Sequence, residues 1–139
     1  MRTSLILAVA GAGFLMVVGS ATAHHAFSAE FDADAPIHLE GTVVKMEWIN
    51  PHAWVHVEIE DGTVWMVEGG TPNTLLRRGL QRDSIMPGMM IVVDGYQSKD
   101  RTARANGRDV TFEDGRKFFM GSSGTGAPRD GRDATEPAR

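Results

Sequence analysis

From Ala53 to Glu60 the chain alternates strictly, with Ala53, Val55, Val57 and Ile59 set against His52, Trp54, His56 and Glu58. A period of two puts the first set on the buried face of a β-strand and the second on its outer face. Asp61-Gly62 follows, the strongest short hairpin signal, and Thr63 to Glu68 supplies the antiparallel partner. Upstream, Ile37 to Trp48 is rich in β-branched and large apolar residues and carries Gly41 at its middle, the pattern of a long strand bent where another backbone comes close. Downstream, Thr71-Pro72 joins an N-cap to a proline at the first helical position, and Asn73 to Arg78 closes at Gly79, predicting a helix of barely two turns. Met86-Pro87-Gly88 breaks the chain before an apolar strand from Met89 to Tyr96. Arg108 to Phe112 and Lys117 to Met120, joined by the Glu113-Asp114-Gly115 turn, form a last hairpin. Three strands, a short helix and two or three further strands follow the order of an oligonucleotide/oligosaccharide-binding (OB) barrel. The predicted fold is therefore mainly β: a small OB-like barrel of five to six strands, with one short helix between strands three and four. An open β-sandwich is the competing arrangement; a closed barrel has the advantage of leaving no exposed sheet edges.

The two ends of the chain follow other rules. Arg2 is followed by an uncharged apolar run from Leu5 to Val18, about 14 residues, and by Gly19-Ser20-Ala21-Thr22-Ala23 with its small-x-small ending. Residues 1–23 thus read as a secretory signal peptide cut after Ala23, too short to span a bilayer; a cut after Ala21 also satisfies the small-residue rule. With no cysteine at the cut there is no lipid attachment point, so the expected product is periplasmic or secreted, without stable membrane insertion. His24 to Pro36 shows neither helical nor strand period and reads as an extended amino-terminal arm (24–36) before the barrel domain (37–120). Residues 121–139 are glycine, serine, proline and charge with no apolar residue beyond alanine, a composition that does not offset the entropy of ordering and predicts a disordered tail.

Composition narrows the chemistry. The 139 residues carry 14 Lys and Arg against 18 Asp and Glu, a formal charge of -4, which lacks the basic excess of nucleic-acid binding. The absence of cysteine excludes disulfides, thiolate metal sites and a cysteine nucleophile. Neither a Gly-x-Ser-x-Gly elbow, nor His-Glu-x-x-His, nor a Walker loop, nor a dinucleotide fingerprint is present, so the expectation is a non-catalytic protein.

The histidines are the main chemical signal. All five, His24, His25, His38, His52 and His56, lie before residue 57, and His24 and His25 would begin the processed chain. An amino-terminal histidine offers a free amine and an imidazole in one chelate, and a second histidine adds another imidazole and an amide nitrogen. Such nitrogen-rich donor sets suit Cu(II). His52 and His56 share a strand face roughly 13 Å apart at about 3.3 Å per residue, so in a straight strand only one of them joins a given metal. The candidate metal residues are thus His24 and His25, completed by His52 or His56, with copper as the candidate cofactor. The alternative is an OB-like module without metal, in which Trp48, Trp54, Arg77 and Arg78 hold a small anionic or sugar-like ligand or a protein partner.

Several segments resemble a family. His24-His25-Ala26-Phe27, Leu39-Glu40-Gly41-Thr42-Val43, Glu47-Trp48-Ile49-Asn50-Pro51-His52-Ala53-Trp54 and Thr71 to Gly79 are similar to a family of small exported bacterial proteins of unknown function. Pro87-Gly88 and Asp114-Gly115-Arg116-Lys117 extend the likeness to about Ser122. The resemblance implies export to a Gram-negative periplasm and a single β-rich domain. It also makes the double-histidine start and the Asn-Pro-His-Ala-Trp turn family features, and it brings no activity with it.

Overall fold

The structure, a computed structural model, describes residue 27 and residues 29–121. The expected signal peptide, His24 and His25, and the expected tail beyond its first residue lie outside the described residues; that first residue, Gly121, is buried and its amide donates to the Arg108 carbonyl, so it is part of the fold and not of a tail. Among the described residues, 27, 29 and 30 are helical where the sequence predicts an extended arm, and six strands and one further helix follow in the order β1 (Phe31–Glu47), β2 (Trp54–Ile59), β3 (Val64–Glu68), α1 (Pro72–Arg77), β4 (Met90–Ser98), β5 (Arg104–Phe112) and β6 (Lys117–Phe119). The architecture is mainly β with one short helix between strands three and four, as the pattern predicts.

Consecutive strands β1, β2 and β3 pair antiparallel, β1 also pairs antiparallel with β4, and β4 with β5. A parallel pairing of β3 with β5, Met66 to Arg104 through Glu68 to Asn106, then closes five strands into a ring. The short β6 pairs with the far half of β5. β1 serves two neighbours because it is long and bent, with register shifts between Val43 and Lys45 on one side and between Phe31 and Pro36 on the other.

Alternation does its work inside the ring. Ala53, Val55, Val57, Val67, Val93 and Val110 are fully buried, and Val43, Ile91 and Met120 join them. The helix contributes through its ends. Thr71 Oγ1 accepts from the Thr74 amide at 3.2 Å with Pro72 at the first turn, while the Leu80 and Gly79 amides donate to the Leu75 and Leu76 carbonyls. Gly79 takes φ +89, the left-handed residue that this helix ending requires. The ending turns Leu75 and Leu80 together into the core.

Three expectations shift. β1 begins at Phe31, so residues 31–36 of the expected arm are strand: Phe31 is 2% exposed and pairs with Ser98, and Asp32 holds Arg101 at 2.7 Å. β5 begins at Arg104 rather than Arg108. Its polar run lies between β3 and β4, and such long-range pairing leaves no local period to read. The β2–β3 connection is a three-residue loop in which Ile59 bonds Thr63, Gly62 takes φ +83 and the Thr63 amide is held by Asp61. No helix among the described residues is long and apolar enough to cross a membrane.

The β4–β5 turn contains an acid-sensitive brace. Asp100 Oδ1 accepts from Ser98 Oγ (2.7 Å), the Thr102 amide (3.1 Å) and Thr102 Oγ1 (2.8 Å). These bonds favour the ionised form and hold the carboxyl at about 2, below its ordinary 3.8. A depressed folded pKa contributes stability that is present above the unfolded value and lost as pH falls through the folded one. The melting-temperature difference between the wild type and Asp100→Asn is therefore expected to be full at pH 5–7 and to close between about pH 4 and 2. A difference independent of pH would show that the brace does not act through its charge.

Candidate functional site

The sequence-predicted histidines fall at different places. His52 precedes β2, after the Asn50-Pro51 turn, whose peptide bond is cis. At this end β3 runs into Gly69-Gly70, and the Ala53 amide donates to the Gly70 carbonyl while the Gly69 amide donates back to Ala53. That two-way link holds His52 beside the end of β3. Its Nδ1 lies 3.1 Å from the Gly69 carbonyl oxygen and 3.2 Å from Glu68 Oε1. A backbone carbonyl is an acceptor only, so Nδ1 carries the hydrogen and the neutral ring keeps its lone pair on Nε2. The side chain is 31% exposed.

Glu68 is the second element of the site. It stands directly opposite Trp54 in the β2–β3 pair, and its side chain is 12% exposed. Burial raises its carboxyl above the usual range, and the Glu30 carboxylate adds to this; His52 and Arg104 pull the other way. Arg104, on β5, bonds Glu30 at 3.2 Å and lies 5.5 Å from the centre of the Trp54 ring. The arm itself is fastened here. Phe27 stacks on Phe31 and meets Tyr96 edge-on, and the Lys99 amide donates to the Glu30 carbonyl. Glu30 thus lies beside the outer face that carries Trp54, Glu68 and Arg104.

His56 belongs to a different group. Its Nε2 is 3.3 Å from Glu47 Oε2, and Glu47 also takes Lys45; those two hydrogen bonds, Lys45 first, hold the Glu47 carboxyl below its usual range. With its side chain 15% exposed and one ring nitrogen facing a carboxylate, His56 is less open than His52. His38 is an exposed cross-strand partner of Asp94, 2.7 Å from it. Among the described residues no three His, Asp or Glu side chains converge on one metal position.

The candidate ligand residues are also separated. Trp48 is partly buried against the core, whereas Trp54 lies on the outer face under Arg104. Arg78 bonds the Phe119 and Gly121 carbonyls and covers the Phe119 ring, so it clamps the chain after β6, and Arg77 beside it is exposed. These four residues do not form one pocket. The residues that sequence reasoning missed are Glu30, Arg104 and the specific role of Glu68. Glu68 had a signal: counting outward from Asp61 on both strands sets it opposite Trp54. Glu30 and Arg104 had none, because β3–β5 closure and arm docking bring them in.

None of the curated proteins and none of the solved structures matches the chain. Residues 13–107, well over half of it, match DUF6152, a family of unknown function, and the chain belongs to that family.

Proposed function

We propose that this protein is an exported, non-catalytic binding module with an OB-like barrel, which holds copper or a similar divalent metal between its processed amino terminus and His52. The barrel reading is supported by the five-strand ring, its parallel β3–β5 closure and the helix between β3 and β4. The observation that carries the metal reading is the orientation of His52. Its Nδ1 donates toward Gly69 and Glu68, leaving Nε2 as the ligating nitrogen. A carboxylate or carbonyl behind the ring is the usual support of a metal-bound histidine, fixing its tautomer and raising its basicity.

His24 stands three residues before Phe27, a reach of at most roughly 10 Å. Phe27 and Glu30 are fastened on the face that carries Glu68, which favours His52 over His56 as the third imidazole. An amine, two or three imidazoles and an amide nitrogen form a donor set for Cu(II). The metal would then compensate for the lack of disulfides in an oxidising compartment.

The test is a Cu(II) titration of metal-free protein beginning at His24 against the same protein with one added amino-terminal residue, by calorimetry and electron paramagnetic resonance. The expected result is one-to-one binding with nitrogen hyperfine structure, weakened at least about tenfold, or about 1.4 kcal/mol, by the extension. Equal affinity of the two forms would refute the amino-terminal site and turn attention to ligands of the Trp54 face.

A further inference from the structure

β1 is longer than its partner on one side. It pairs with β4 from Phe31 to Thr42, but with β2 only from Gly41 to Glu47, so among the described residues no strand lies against that side of β1 before Gly41. The Val43 amide donates to the Met89 carbonyl, and the Val43 carbonyl accepts from the Gly88 amide, both on the β4 side. Backbone groups of successive residues point to opposite neighbours, so Gly41 and Leu39 also face β4. Glu40 and His38 face the other way, where β2 has ended at Ile59 and the chain turns at Glu60. The Glu40 amide and both His38 backbone groups thus form a short open edge, a template for one more strand.

A groove of about 560 Å³ lies beside this edge, and its lining says what the edge accepts. Glu40, Glu58 and Glu60 supply carboxylates, while Val44, Ile59 and Met90 supply apolar surface, with Val44 40% and Met90 36% exposed. Glu58 stands opposite Thr42, which makes it a diagonal neighbour of Glu40 at about 7–8 Å; the same register continued one step sets Glu60 opposite Glu40. None of the three carboxylates has a hydrogen bond or ion pair among the described residues, and like charges this close on a sheet repel one another. A second copy of the chain paired edge to edge would set these carboxylates against each other. A single metal ion is not held either, since no three of the described His, Asp or Glu side chains converge on one position. An extended segment carrying lysine or arginine meets every feature: its backbone adds to β1, its alkyl stems cover the apolar lining, and its cationic ends reach the carboxylates.

We propose that the open edge of β1 at residues 38–40 binds an extended, lysine- or arginine-bearing segment of a partner protein by strand addition, with the cationic side chains on Glu40, Glu58 and Glu60. The edge uses none of the residues of the copper reading, and its test is run with chelator present and no metal.

The probe is a short acetylated, amidated peptide alternating lysine with valine, titrated into ¹⁵N-labelled, metal-free protein while the His38 and Glu40 backbone amides are followed. Three controls separate the contributions: the same peptide with glutamate for lysine, the lysine peptide N-methylated at every residue, and spermidine, a cation without a peptide backbone. The lysine peptide is expected to give saturable shifts at both amides and to slow hydrogen exchange at Glu40, and the controls neither. The double variant Glu40→Gln, Glu60→Gln is expected to weaken binding about fivefold or more, and to keep or raise the melting temperature because it relieves like-charge repulsion. The proposal is overturned if the lysine peptide moves neither amide, if any control moves them equally, or if the folded double variant binds like the wild type. It is also overturned if both amides shift with protein concentration alone, which would make the edge a contact between copies. Because no metal is present, failure here leaves the copper reading standing, and failure of copper binding leaves this edge standing.

Discussion

Gly95→Ala is expected to destabilise the protein by about 3 kcal/mol or more, or to prevent folding. A β-carbon at this position falls well inside contact of the Asn106 carbonyl oxygen, with the Asn106 carbonyl carbon and Gly107 Cα both at 3.1 Å. All three are backbone atoms of the paired strand, so no side chain can rotate away to make room. The position lies at the register shift between Asp94 and Gly95, where β4 follows β5 as the ring closes. Gly41→Ala is expected to behave similarly, because its β-carbon meets the Glu58 carbonyl group across the β1–β2 pair. Gly62→Ala is the contrast. Nothing lies within 4 Å, and only the left-handed φ of +83 is strained, so about 1 kcal/mol is expected. Chemical denaturation of the three variants checks the ranking. Gly95→Ala protein as stable as Gly62→Ala would mean that the β4–β5 backbones are not this close.

His52→Ala is expected to weaken Cu(II) binding about 100-fold in the chain beginning at His24, and His56→Ala by less than about threefold. The difference follows from the two rings' partners. His52 has its Nδ1 turned to Gly69 and Glu68 and is part-exposed, while His56 faces Glu47 with Nε2 and is nearly covered. Glu68→Gln is expected to weaken binding about tenfold, since the neutral amide supports the imidazole less than a carboxylate does. It also removes a buried charge, so its melting temperature in the absence of metal is not expected to fall. Calorimetric titrations of the three variants separate these outcomes. Loss of affinity in His56→Ala with none in His52→Ala would reverse the assignment.

Much of this fold is legible locally. Alternation from Ala53 to Ile59 is enough to name the inward set, and Ala53, Val55 and Val57 are indeed fully buried. Asp61-Gly62 sets the β2–β3 register to within the loop length, and with it the Trp54–Glu68 pair. Thr71, Pro72 and Gly79 delimit the helix within one residue, because caps act through bonds two to five residues long. The candidate site is legible only in part. His52 could be named, but its choice over His56 depends on Gly69 and Glu68, which lie 17 and 16 residues away and meet it through the strand pairing.

The rest depends on contacts between distant segments. Residues 31–36 look like an irregular arm, yet they are strand because β4 offers Ser98 and Tyr96 as partners and Arg101 holds Asp32. Arg104 to Gly107 has no period, yet it is strand because β3 on one side and β4 on the other take its backbone groups. The same closure brings Asn106 beside Glu68 and Arg104 to Glu30, residues separated by 38 and 74 positions. Periodicity and capping report interactions within a few residues of one another, whereas ring closure joins backbone groups far apart in the chain, and no local pattern encodes which of them will meet.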